Sequence, residues 1–346
     1  MVPYRTVEAG SSPCGDGAGL VGRGDGALIE IRNVTRRFGD RTAVDRVTLT
    51  IEPGQVFGII GPNGAGKTTL FRLVCRLIRP DSGTIAVHGE TGELAVKRLV
   101  GYLPEEHRLY EHMRALDYLT YFCRLLGLPR ARARRVLEQV ALADRANQRV
   151  SALSKGMRQK LSFARTLLSD PAVLVLDEPT YGLDPNTARE VRGWIRTEAR
   201  TKTVLLSSHN LHEAQRVCDQ VAILHRGRVV AQGTPRALIS SIQDETILEL
   251  AFSGDPRPVA AAVQTLPLLR PPEFDSDTVT LAFSNERNPY ELLRGVLDAI
   301  EAQPEPIAIT RIAPREPTLE DVFFQVTGER YEEADMARDS APEEGS

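Results

Sequence analysis

Cysteine is scarce in this 346-residue chain, and Cys14, Cys75, Cys123 and Cys218 stand far apart, in no metal-binding or redox spacing. That usage excludes a disulfide framework and reads as buried or incidental thiols in a reducing compartment. No stretch approaches the run of about 18 apolar residues that a membrane-crossing helix needs. The N-terminus lacks the charged-then-apolar pattern of a secretory leader. Neither sign of charge dominates: 43 Lys and Arg against 46 Asp and Glu leave a formal net charge of −3, unlike the basic domain of a nucleic-acid binder. The expectation is a soluble, cytoplasmic chain with no nucleic-acid partner.

What is present is an ordinary globular composition, 42% hydrophobic and 26% charged, in a chain long enough for two domains and a sizeable core. Residues 1–27, rich in Gly and small polar residues, are expected to form a disordered tail. Residues 329–346 are acidic and poor in apolar residues, and are expected to be solvated too. Between these tails, "QVFGIIG", "AVLVLDEP", "TVLLSSH" and "QVAILHRG" read as strands buried on both faces of a mainly parallel sheet flanked by helices. Residues of about 106–168 carry no strand signal and form a helical subdomain, with "DYLTYFCRLLGL" and "RARARRVLEQVAL" its clearest periodic pieces. Arg130, Arg132, Arg134 and Arg135 read as a solvated helix face ahead of the competing reading, a basic patch. Residues 28–240 thus make an α/β domain. Residues 245–328 alternate strand, helix, strand, helix, strand, helix, a small α+β domain with ferredoxin-like alternation and Thr318 as the N-cap of its last helix.

Two motifs carry chemistry. In "GPNGAGKTT", Gly61, Gly66, Lys67 and Thr68 stand at phosphate-loop spacing, between an apolar strand and a helix. Glycine lets consecutive backbone N–H groups turn inward around phosphate oxygens, and the following helix points its positive end at the same anion. Lys67 can reach the β- and γ-phosphates, and the Thr68 hydroxyl can ligate Mg²⁺. Pro62, Asn63, Gly64, Ala65 and Thr69 complete the cradle. In "VLVLDEP", four apolar residues end in Asp177 and Glu178, so two carboxylates emerge at the carboxyl edge of the sheet, where ligands bind in such folds. Asp177 would hold Mg²⁺ through water, and Glu178 would accept a proton from attacking water as a general base.

"SALSKGMRQKLSFARTLL" places Leu153, Ser154, Lys155 and Gly156 directly before a long helix, on the chain just ahead of "VLVLDEP". With these motifs the chain resembles the nucleotide-binding subunit of ATP-binding-cassette transporters, over residues 28–240. The family's signature usually reads LSGGQ and here reads "LSKGM". The resemblance implies a P-loop cassette that binds ATP and Mg²⁺. It also implies a homodimer, or a pseudo-dimer with a similar subunit, in which Ser154 and Gly156 cover the ATP of the partner. It further implies that "YGLDP" (Gly182, Leu183, Asp184) meets the opposing subunit, that His209 is a switch contacting the γ-phosphate, and that Phe38 stacks on adenine, unless Phe38 is an ordinary core residue. In "VGYLPEEHRLYEHM" the usual Gln is replaced by Glu105, either a Mg²⁺ ligand or a solvent charge paired with a base such as Arg108. Glu105, "LSKGM" and the appended domain ending in "TLEDVFFQVTG" resemble the branch of bacterial drug and sodium exporters. There the ATPase is a peripheral subunit on the cytoplasmic face, working with separate transmembrane permease subunits. The alternative is a cassette ATPase acting on ribosomes or DNA. Those usually carry two cassettes or a coiled-coil insertion, and this chain shows neither.

Overall fold

The computed structural model describes residues 28–106, 108–242, 245–284, 289–303, 307–329 and 331. Cys14, the expected N-terminal tail and most of the acidic C-terminal tail lie outside the described residues. The chain divides into two compact units, one of Met1–Pro235 with Val326–Ser346, the other Arg236–Gln325.

The first unit opens with β1 (Ile29–Phe38), β2 (Arg41–Ile51), β3 (Val56–Ile60), α1 (Lys67–Val74), β4 (Ser82–Val87), α2 (Glu93–Leu99) and β5 (Val100–Leu103). Then come the helices α3 (Ala115–Leu125), α4 (Ala131–Gln139) and α5 (Lys155–Thr166), with no strand among the described residues between β5 and β6 (Val173–Leu176). The unit continues as α6 (Pro185–Glu198), β7 (Thr203–Ser208), α7 (Leu211–Val217), β8 (Gln220–His225) and β9 (Arg228–Gly233). Six strands form one sheet in the order β5-β6-β7-β3-β8-β9, parallel except for the antiparallel β8–β9 pair. Every residue of β3, β6 and β7 is buried, because each strand has a neighbour on both sides and cover on both faces. The expected parallel core is present.

A second sheet of this unit, β2-β1-β4, is antiparallel and was not legible beforehand. Its alternation is broken. The β1–β2 register shifts three times, and Asn33 and Arg46 adopt positive φ of 48° and 51°. A bulge moves later side chains to the other face, so the period of two is lost to inspection. Of the four arginines in the α4 segment, Arg132 turns inward and donates to the Leu167 and Leu168 carbonyls at 2.8 and 3.1 Å, while the other three are exposed.

The second unit contains most of α8 (Pro235–Ser240), then β10 (Glu245–Ser253), α9 (Pro256–Val263), β11 (Glu273–Asp275), β12 (Thr278–Ser284), α10 (Pro289–Glu301), β13 (Ala308–Arg315) and most of α11 (Leu319–Thr327). Its sheet runs β11-β12-β10-β13, all antiparallel, a ferredoxin-like order in which the three-residue β11 is the strand too short to read from sequence. Leu248, Leu250 and Phe252 of β10 and Val279, Leu281 and Phe283 of β12 share one core with α9 and α10. The compact unit begins at Arg236 rather than 245, and the chain from Val326 groups with the first unit. Glu329, expected in solvent, pairs with Arg226 and lies 3.4 Å from His225 Nε2.

Candidate active site

The loop between β3 and α1 is shaped by close backbone packing. A Cβ on Gly61 would lie 2.2 Å from the Leu224 carbonyl oxygen, and one on Gly66 (φ 110°) would lie 2.2 Å from that of Ala43. Glycine is required at both positions. Gly66 precedes α1 without a side-chain cap, so the first turn of the helix opens toward the loop. Lys67 is buried, and its Nζ donates to the Gly61 and Pro62 carbonyls at 2.7 and 3.3 Å. Beside it is a cavity of about 320 Å³. Asn63, Gly64, Gly66, Lys67, Thr68 and Thr69 form one wall, and Phe38, Arg41 and Ala43 another. Glu105 and Glu178 close it.

Asp177 and Glu178 follow β6. Asp177 is fully buried, and its Oδ1 accepts from Ser207 Oγ at 2.7 Å and its Oδ2 from the Tyr102 hydroxyl at 3.3 Å. Burial pushes its carboxyl up, the Ser207 and Thr68 hydroxyls oppose, and the neighbouring Glu178 charge adds to the rise. Glu178 has φ 47°, uncommon for a residue with a Cβ. Its backbone N–H donates to Ser207 Oγ at 2.8 Å. His209 Nδ1 donates to its Oε2 at 2.8 Å, and Lys67 Nζ lies 3.4 Å from its Oε1. Burial pushes the Glu178 carboxyl up, but His209 and Lys67 outweigh burial and hold it below the usual range. Glu105 moves the other way, raised by burial and then by Asp177 and Glu178. The pairing of Glu105 with Arg108 does not form; Arg108 Nη2 lies 3.9 Å from Glu106 instead.

Phe38 is 47% exposed, which removes the core reading, and the Arg36 guanidinium lies 4.8 Å over its ring. Ser154 and Gly156 are not brought to this cavity. Ser154 caps α5, accepting from the Met157 N–H at 3.3 Å, and a Cβ on Gly156 would meet Thr187 at 2.9 Å. Asp184 likewise caps α6, accepting from the Asn186 and Thr187 N–H groups at 3.1 Å each. Sequence reasoning missed Arg41, Tyr102, Ser207 and Tyr181, whose ring meets that of His209 edge-on with centroids 5.1 Å apart. The one available signal was the serine pair that follows the apolar Val204, Leu205 and Leu206 at the end of β7.

A phosphate loop between strand and helix, with a strand-end acid facing its lysine across one cavity, defines the class: a P-loop nucleoside triphosphatase. Residues 44–181 match the ABC transporter family. Over 317 residues the chain is 37% identical to the Nod factor export ATP-binding protein I of Ralstonia nicotianae, covering 89% of this chain and 96% of that protein. The protein of the same name from Paraburkholderia xenovorans is 35% identical, covering 89% and 99%. A solved ATP-binding subunit of an ABC transporter superposes with a TM-score of 0.57 at 30% identity, covering 62% of this chain and 93% of that one. A bacterial Atm1-family ABC exporter with ATP bound gives 0.57 at 25% identity, covering 63% of this chain and 40% of that one. The chain belongs to the ATP-binding subunits of ABC transporters and is an ATPase.

Proposed function

We propose that the chain is the ATPase subunit of an exporter, in which two cassettes close on ATP and drive separate membrane subunits from the cytoplasmic face. The observation that carries this reading is a division within one chain. Lys67 and Glu178 line one cavity and His209 is hydrogen-bonded to that Glu178, whereas Ser154 and Gly156 line no part of the cavity. A second copy, or a similar subunit, supplies them head to tail.

Bound Mg·ATP supplies the electrophilic phosphorus and the cation that neutralises its oxygens. The residues present fit it. The buried Glu178 Oε1 accepts no hydrogen bond among the described residues and faces Lys67 Nζ at 3.4 Å, while Thr68 and Glu105 line the cavity and, with the fully buried Asp177, offer the oxygen donors a hard cation prefers. In this reading Phe38 stacks on adenine, the 61–69 loop cradles the phosphates, and Lys67 leaves the Gly61 carbonyl to meet their charge. Glu178 accepts the proton of the attacking water, and His209 steadies that carboxylate and faces the γ-phosphate.

No helix among the described residues is long and apolar enough to cross a membrane. Tyr110, Tyr121 and Leu125 are exposed between β5 and β6, at 44%, 39% and 63%, and this apolar patch supports docking of a membrane subunit there. The relatives' export role favours this reading over a cassette acting on ribosomes or DNA, and their cargo is not assigned to this chain. Mixing Ser154→Arg and Lys67→Ala proteins tests the arrangement. In a head-to-tail pair one composite site carries both lesions and the other neither, so hydrolysis returns on mixing. Mixed protein that dimerises yet stays as inactive as either variant alone would refute it.

A further inference from the structure

The strand β7 ends in two hydroxyls after three apolar residues, and both are out of water: Ser207 is 0% exposed and Ser208 2%. A buried hydroxyl needs partners. Ser207 has two of unusual consequence. Its Oγ donates to Asp177 Oδ1 at 2.7 Å and accepts from the Glu178 N–H at 2.8 Å. One oxygen atom therefore ties the carboxylate of one acid to the backbone of the next.

Topology explains why it can. The parallel register of β6 against β7 ends at Leu176↔Leu206. Two residues further on, past the end of β6, the chain has turned into a left-handed Glu178, whose N–H donates to the Ser207 hydroxyl rather than to a strand carbonyl. The Ser207 side chain continues the ladder in its place. Two residues beyond, His209 Nδ1 holds the carboxylate of the same Glu178 at 2.8 Å. The end of β7 thus grips Glu178 at two points, backbone and side chain, while Tyr102 from β5 holds the other oxygen of Asp177.

We propose that Ser207 is a positioning residue for ATP hydrolysis: its hydroxyl holds Asp177 and the left-handed backbone of Glu178 in the geometry the reaction uses. It acts through those two acids and does not touch nucleotide. The proposal rests on Glu178 being the base. Losing a group that orients a metal-holding or reacting side chain typically lowers activity 10- to 100-fold. Ser207→Ala in the full chain should lower kcat by about 10- to 100-fold. Its KM and its equilibrium affinity for a fluorescent ATP analogue should stay within about 3-fold, since phosphate-loop contacts are untouched. Ser207→Thr retains the hydroxyl and should recover most of the lost kcat. Ser207→Cys, near-isosteric with a weak donor, should behave like the Ala variant and serves in its place if that variant does not fold.

Glu178→Gln is measured alongside. If it turns over normally, the base assignment fails. If it is inactive while folded Ser207→Ala keeps wild-type kcat, the positioning role alone is overturned. A Thr variant as slow as the Ala variant, at wild-type Tm, also overturns it, because packing and not the hydroxyl would then be responsible. A loss confined to KM would overturn it as well.

Discussion

Each unit buries an aspartate among partners, and the two are held in opposite ways. Asp321 in the second unit is 3% exposed, and its two oxygens accept five hydrogen bonds. Arg270 and Arg315 donate at 2.7–3.0 Å and the Thr318 amide and hydroxyl at 2.8 and 3.0 Å, so the expected N-cap residue bonds back to the third residue of its own helix. Burial pushes this carboxyl up, but the arginines win and hold it below its ordinary value of 3.8. Asp177 is buried as deeply but has only neutral hydroxyl donors, and it is pushed up. Beside it Glu178 keeps one oxygen without a hydrogen bond. Burial of charge does not mark a reactive site. Incomplete satisfaction does, because an acceptor held only by the Lys67 charge at 3.4 Å keeps hydrogen-bonding capacity for a ligand or a proton.

That contrast can be broken by exchange of a single atom on either side. The largest effect is expected at Glu178→Gln, which keeps shape and removes proton acceptance: turnover should fall by about 10² to 10⁴ while ATP still binds and the closed dimer accumulates. Near-normal turnover in purified protein would place the base elsewhere.

Asp321→Ala should lower the stability of the second unit by about 3–5 kcal/mol, because two partly buried arginines lose the buried carboxylate they share. Calorimetry or urea unfolding reads it, and a loss below about 1 kcal/mol would mean water replaces the carboxylate. The pH dependence has a definite sign. The folded pKa of Asp321 is depressed, so its stabilisation is complete above the unfolded value near 3.8 and is lost as pH falls below it through the folded value. Wild-type protein should therefore lose stability in acid more steeply than Asp321→Asn, measured between about pH 5 and 2.

Phe38→Ala should weaken ATP binding by about 1–3 kcal/mol, the range for a base stacked on an aromatic ring. Unchanged affinity would leave Phe38 a mere partner of Arg36. The smallest effect is expected at Glu105, whose carboxyl is raised by burial and then by its acidic neighbours, whose charge a cation would offset. Titrating Mg²⁺ against ATP affinity should give a dependence several-fold steeper for the wild type than for Glu105→Gln, and superimposable curves would remove Glu105 from the metal's surroundings.

The nucleotide loop and the acid pair were readable because each follows an apolar strand directly, and local sequence places a residue at a strand's end whatever the strand's neighbours are; His209 was picked out only by the family resemblance. The same locality made α3, α4, α5 and most of the second unit legible. Tertiary structure decided the rest. Lys67 meets Glu178 only because β3 and β6 flank β7 in one sheet. Ser207 reaches both acids only because the β6–β7 register ends where it does, and its hydroxyl meets the N–H of a Glu178 with φ 47°. The sheet β2-β1-β4 and the short β11 likewise depend on pairing between separated segments rather than on their own periodicity. Residues along one strand are set by the pleat, but which oxygen faces which amide across strands is set by register, and register is a property of the folded sheet.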